Sequence, residues 1–108
     1  MKKNKYTLTI GKNHKDLKKQ VLDDDEIYDI ISINLNKEGI DCFTSIDCVG
    51  AFVHKDNTKV LEKSIQIVVV DENDIKDKIL KVIDSLKSGL SQESIMFQIE
   101  ENQDISFL

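Results

Sequence analysis

The sequence predicts an α+β domain of the ferredoxin-like, split βαβ type, running as one unit over residues 1–108 in the order β-α-β-β-α-β. Two observations carry this. Four runs alternate apolar and polar residues with period two or are rich in β-formers, at residues 6–10, 42–54, 61–70 and 94–102. Two stretches between them repeat apolar residues at helical spacing, and only a short turn parts the second and third strand runs. That order folds most simply as a four-stranded antiparallel sheet with both helices on one face.

Tyr6, Leu8 and Ile10 alternate with Thr7 and Thr9 in a first strand that ends at Gly11. A lysine-rich loop, GKNHKDLKK, follows. Asp23, Asp24 and Asp25 are N-cap candidates for a helix bearing Ile27, Ile30, Ile31 and Leu35 on one face, with Gly39 as its stop. Residues 42–54, CFTSIDCVGAFVH, read as a strand with a bulge or bend at Gly50. KDNT, residues 55–58, reads as a tight turn leading into LEKSIQIVVV, the strongest strand of the chain. Asp71 is the expected cap of the second helix, which carries Ile75, Ile79, Val82, Ile83, Leu86 and Leu90 and ends at Gly89. SIMFQIEEN closes the domain, with Ile95, Phe97 and Ile99 facing one way. The first and third strands, the most regular, are expected at the centre.

Composition bounds the function. The 108 residues are 40% hydrophobic and 32% charged, an ordinary globular balance. No apolar run approaches the ~20 residues of a membrane span, and no signal-peptide stretch opens the chain, so a cytoplasmic protein is expected. A net charge of −5 argues against sequence-independent nucleic-acid binding, which needs a broad basic face. All 15 basic residues are lysine. Bidentate guanidinium recognition is therefore absent, and an anion would be met by ammonium and backbone N–H groups.

The sheet face away from the helices is expected to carry Thr7, Thr9, Ser64, Gln66, Val68, Met96 and Gln98, a mixed surface suited to a second subunit or a partner. RNA-recognition domains use this face through aromatics on the third strand, and LEKSIQIVVV has none. That excludes the ordinary RNA-recognition mode.

The lysine loop lacks the second glycine and the GK[ST] ending of a P-loop, and the acids at Asp23–Glu26 would repel phosphate from the helix that follows. Lys12, His14, Lys15, Lys18 and Lys19 remain candidates for an anionic ligand or an acidic partner. Cys42 and Cys48 would stand roughly 20 Å apart on a strand rising about 3.3 Å per residue, too far for a disulfide, and read as free buried thiols. C-x5-C-x5-H, ending at His54, matches no zinc pattern, so neither metal nor cofactor is expected. Cys48 with His54 is the one imaginable nucleophile and base, without a readable oxyanion hole.

The runs TLTIGKNHKDLKKQ, VHKDNTKVLEKSIQI and LSQESIMFQIEE resemble small proteins encoded by phages and prophages of low-GC Gram-positive bacteria. The matching positions are Ile10, Gly11, Asn13, Lys15, Asp16, Lys18 and Gln20, then Gln92, Glu93, Ser94 and Ile95. The resemblance implies an accessory role against bacterial defence and supplies no catalytic residues. The expectation is a non-catalytic, self-associating binding protein. It would occlude a protein partner, such as a host defence effector, or sequester a small anionic nucleotide signal, through Lys12, His14, Lys15, Lys18 and Lys19 with Gln66, Met96 and Gln98. The alternatives are a ligand-sensing regulator of the host cell and a small enzyme using Cys48 and His54.

Overall fold

The computed structural model describes residues 2–53 and 56–108. It has the expected order: β1 (Lys2–Gly11), α1 (Asp24–Lys37), β2 (Thr44–Val53), β3 (Lys59–Asp71), α2 (Lys76–Gly89) and β4 (Met96–Asp104). The strands form one antiparallel sheet in the order β2-β3-β1-β4, which puts β1 and β3 at the centre. This is the ferredoxin-like arrangement that the element order predicts.

Period-two patterning sends Tyr6, Leu8 and Ile10 of β1 and Ile65, Ile67 and Val69 of β3 beneath the helices. They meet Ile27, Ile31 and Leu35 of α1 and Ile79, Val82 and Leu86 of α2 in one cluster. Phe97 and Ile99 of β4 pack on its rim, half-buried. Fully burying one such side chain is worth about 1.5–3 kcal/mol, so this shared face fixes the strand register. Asp23 caps α1 by accepting the Glu26 N–H at 2.8 Å, and the Glu26 side chain accepts the Asp23 N–H in return. Gly39, with φ of 75°, ends the helix.

Three sequence expectations need correction. Asp71 does not cap α2: it ends β3, where its side chain accepts the Asn73 N–H. The helix begins five residues later, and its N-cap residue, Ile75, offers no side-chain acceptor. Asp74 accepts the Lys76 N–H at 3.0 Å, and the Tyr6 hydroxyl accepts the buried Ile75 N–H at 3.1 Å. Gly50 makes no bulge, because β2 pairs with β3 without a register shift from Thr44 to Val53. The irregular step lies instead between Lys3 and Lys5 against β4, beside Asn102 in a left-handed conformation. The two thiols are free but not buried: Cys42 precedes β2 and is exposed, and Cys48 is half-buried. Of the expected turn at residues 55–58, Lys55 lies outside the described residues. Asn57 takes the left-handed conformation such a turn requires. Among the described residues no helix is long and apolar enough to cross a membrane.

Because the Tyr6 hydroxyl ties the start of α2 to the central strand, Tyr6→Phe should leave a buried N–H without its acceptor. A loss of about 1–3 kcal/mol in urea-denaturation stability is expected.

Candidate functional site

The β1–α1 loop and the α2–β4 turn gather at one end of the sheet, beside the β2–β3 hairpin. Their meeting point is set by unequal strand lengths. β1 stops at Gly11 opposite Ser64, whereas β3 runs back to Lys59 paired with β2 alone. Glu62 therefore stands just beyond the end of β1. A Cβ at position 11 would lie 2.6 Å from both carboxylate oxygens of Glu62. Glycine is what lets this carboxylate lie over the strand end, where it accepts the Asn13 N–H at 3.0 Å.

Lys12 turns the other way. Its side chain is almost fully buried, and its ammonium lies 3.2 Å from both Asp24 and Asp47, whose carboxylates reach solvent. Burial alone would lower the Lys12 pKa, but hydrogen bonds and charge from Asp24 and Asp47 outweigh it, so the pKa is raised. Asp24 is held below the usual carboxylate range, first by its hydrogen bond from Gln20 and then by Lys12. Lys12 thus joins the β1–α1 loop to α1 and β2.

The lysine loop closes on itself. The His14 N–H donates to the Lys19 carbonyl and the Lys18 N–H to the His14 carbonyl, each at 2.8 Å, with Lys18 left-handed at φ 59°. His14 Nδ1 accepts the N–H groups of Asp16 (3.1 Å) and Leu17 (3.3 Å). A nitrogen that accepts carries no proton, so this ring keeps its hydrogen on Nε2.

A Schellman turn supplies the loop's anchor. Gly89 is the last residue of α2, and the left-handed position the turn needs falls on Ser91, at φ 50°. Gln92 N–H bonds the Lys87 carbonyl and Ser91 N–H the Ser88 carbonyl. The Lys15 N–H then donates to the Ser91 carbonyl at 2.9 Å, and Gln92 Nε2 donates to the Asn13 carbonyl at 2.7 Å. The two short motifs that carry the phage-protein resemblance, 79 residues apart between Asn13 and Gln92, are thereby bonded to each other.

Two hollows flank this junction. One, of about 240 Å³, lies between the loop, the first turn of α1 and the end of α2, with Val21, Leu22, Ile27 and Leu90 as its apolar lining. The other, of about 510 Å³ and more open, is lined by Asn13, Lys15, Lys18, Val60, Glu62 and Gln92 to Ser94. His14 lines both.

Of the residues singled out in the sequence, His14, Lys15 and Lys18 converge here. Lys12 is engaged internally, and Lys19 lines neither hollow. Gln66, Met96 and Gln98 lie elsewhere, on the open sheet face: Gln66 donates to Thr9, and Met96 and Gln98 pair across from Thr9 and Thr7. Ser64, expected on that face in the open, is buried. Sequence reasoning missed Glu62, Glu93 and Ser94 as lining groups. The quoted Gln92–Ile95 motif was the one signal toward the last two. Cys48 sits by the Lys12–Asp47 cluster, and its imagined partner His54 lies outside the described residues. Among the described residues no group of three or more His, Cys, Asp or Glu side chains is placed to hold a metal ion.

No protein-family model matches the chain, and no curated protein matches it by sequence. Solved structures do match. A phage SAM lyase in complex with S-methyl-5′-thioadenosine superposes with a TM-score of 0.73 at 21% identity, over 94% of this chain and 85% of the other. The same kind of enzyme in its apo state gives 0.70 at 20% identity, over 94% and 84%. The B. subtilis GlnK–ATP complex gives 0.55 at 13% identity, over 92% and 82%. At these identities the likeness establishes the fold. Its phage members agree in kind with the resemblance read from the sequence, and two of the three hold a small adenine-bearing ligand. They also correct the expectation of a non-catalytic binding protein. Two of these neighbours are structures of an enzyme, so the lack of a familiar catalytic triad is no ground for calling the chain non-catalytic.

The buried ammonium makes an asymmetric stability prediction. Lys12→Met removes a charge and leaves two solvated carboxylates, whereas Asp24→Asn with Asp47→Asn leaves a buried ammonium without counter-charge. The double variant should therefore lose more stability in urea denaturation than Lys12→Met. The pH dependence follows from the two shifts. Lys12, raised, contributes below its unfolded value and loses that contribution as pH rises through the folded one; Asp24, lowered, contributes above its unfolded value and loses it as pH falls. The melting-temperature gap between the native chain and Lys12→Met should be flat from about pH 4 to about pH 10 and shrink outside that window.

Proposed function

We propose that this chain is a lyase that binds and splits a sulfonium nucleoside, S-adenosylmethionine or a near analogue, at the loop end of its sheet. The observation that carries the reading is the match, over nearly the whole chain, to a phage SAM lyase holding S-methyl-5′-thioadenosine. The chain's own cleft supports it with groups of both signs, since Lys15, Lys18, Glu62 and Glu93 all line it. The amino-acid end of such a substrate carries an ammonium, a carboxylate and a sulfonium, and a cleft with both signs complements all three.

The chemistry explains why no catalytic motif is needed. A sulfonium leaves as a neutral thioether: the electron pair of the breaking carbon–sulfur bond goes to sulfur, and no proton has to reach the leaving group. When the substrate's own carboxylate attacks the γ-carbon, a lactone and methylthioadenosine form without water or an external base. The protein's share is positioning and electrostatics. Glu62, fixed over Gly11 by the Asn13 N–H, is the best-held carboxylate of the cleft and the group assigned to the sulfonium end. Consumption of a methyl donor would starve host methyltransferases, which accords with a phage accessory role against host defence.

Purified protein incubated with S-adenosylmethionine should release methylthioadenosine over many turnovers, followed by liquid chromatography and mass spectrometry. Glu62→Gln should raise KM for S-adenosylmethionine by about tenfold, because a carboxylate beside the sulfonium attracts it most in the bound substrate, while the positive charge is intact. An unaltered chain that neither binds nor splits the sulfonium would overturn the reading.

A further inference from the structure

We infer that His14 is a pH-sensitive latch on the β1–α1 loop: a second proton on its ring opens the turn that carries Lys18 to the cleft. This goes beyond the lyase reading and does not rest on it. The ring's bonding is the first argument. Its Nδ1 accepts the N–H groups of Asp16 at 3.1 Å and Leu17 at 3.3 Å, which leaves its hydrogen on Nε2. The only nitrogen able to take a proton is therefore Nδ1, the one that holds the turn. An imidazolium has two donors and no acceptor, so protonation replaces two hydrogen bonds with two contacts between N–H groups.

The turn is the second argument. It runs from His14 to Lys19, closed by the His14 N–H on the Lys19 carbonyl and the Lys18 N–H on the His14 carbonyl. Lys18 at φ 59° is left-handed, a conformation costly for a lysine, so the closed turn is held against strain. Residues 15–19 are all exposed, and little burial resists their opening. The surrounding charge is the third argument. On the recess side, the one charged group sharing the hollow with His14 is Lys12, itself engaged by Asp24 and Asp47. On the cleft side stand Lys15 and Lys18 with Glu62 and Glu93, and the turn adds Asp16 and Lys19. These charges balance, so the two N–H groups on Nδ1 decide which state the turn prefers. The closed turn binds one proton fewer than the open one, and falling pH favours opening. The Lys15 N–H on the Ser91 carbonyl and Gln92 on the Asn13 carbonyl involve no titrating group. They keep their places, and the opening is local.

The test uses the full chain labelled with ¹⁵N and no ligand, so failure of the lyase reading would leave it standing. Between about pH 8 and about pH 5, where imidazole ordinarily changes charge, the His14 ring should take its proton on Nδ1. The Asp16, Leu17 and Lys18 amides should shift along the same curve. Protection of the Asp16 and Leu17 amides from hydrogen exchange, corrected for the intrinsic pH dependence, should fall about tenfold, the worth of one to two hydrogen bonds. In His14→Asn, which offers a side-chain oxygen to the same N–H groups and does not titrate, all three amides should stay still. The curves of the native chain need no variant, so misfolding of His14→Asn would not remove the test. A ring that stays neutral down to about pH 5, a ring that titrates while the three amides do not move, or equal movement in a folded His14→Asn would overturn the latch.

Discussion

The structure depends on the pairing of two central strands that differ in length. β1 and β3 share a register that buries Ile10 beside Ile65 and Leu8 beside Ile67, and this register is held by the core beneath it. Once it is fixed, everything at the loop end follows. β1 must stop where β3 continues, Glu62 must stand past the stop, and the chain leaving Gly11 must pass beneath that carboxylate. Both hollows adjoin this junction.

The same junction sorts the lysines. Five basic or imidazole side chains crowd the loop in sequence, yet they serve different ends. Lys12 follows the parity of β1 onto the helix side and is captured by two acids there. Lys15 and Lys18 leave the strand's parity and line the cleft. His14 is spent partly on the backbone of its own loop. Lys19 takes part through its carbonyl, as acceptor for His14. A charge cluster in sequence is thus one buried ammonium held between two carboxylates, plus a pair of cations that line the cleft.

The fold was legible because every element carries its own period, and Asp23 and Gly39 mark the first helix by local chemistry alone. The start of the second helix was not, because its anchor is Tyr6, a residue 69 positions away. Gly50 looked like a bulge from residue type, but nothing in the pairing with β3 requires one. Glu62 was invisible for a stronger reason: its place over Gly11 depends on a register between strands that are not neighbours in sequence. The expectation of a non-catalytic protein rested on the lack of a familiar triad, and enzyme structures that share this fold remove that ground. What could be read was the pair of short motifs around Asn13 and Gln92, and the structure joins them with a side-chain hydrogen bond.

The rows of β2 and β3 beyond Gly11 stand as a two-stranded ribbon, with Val49, Val53 and Leu61 each more than 60% exposed. A ribbon of two strands is marginal in water, while the four-stranded body beneath it shares one core. Amide hydrogen exchange along β3 should therefore be graded: slow through Ile65–Val69, fast toward Lys59, with the break close to Ser64. Glu62 lies just on the fast side of that break, so the carboxylate that faces the cleft belongs to the part of the strand that opens first.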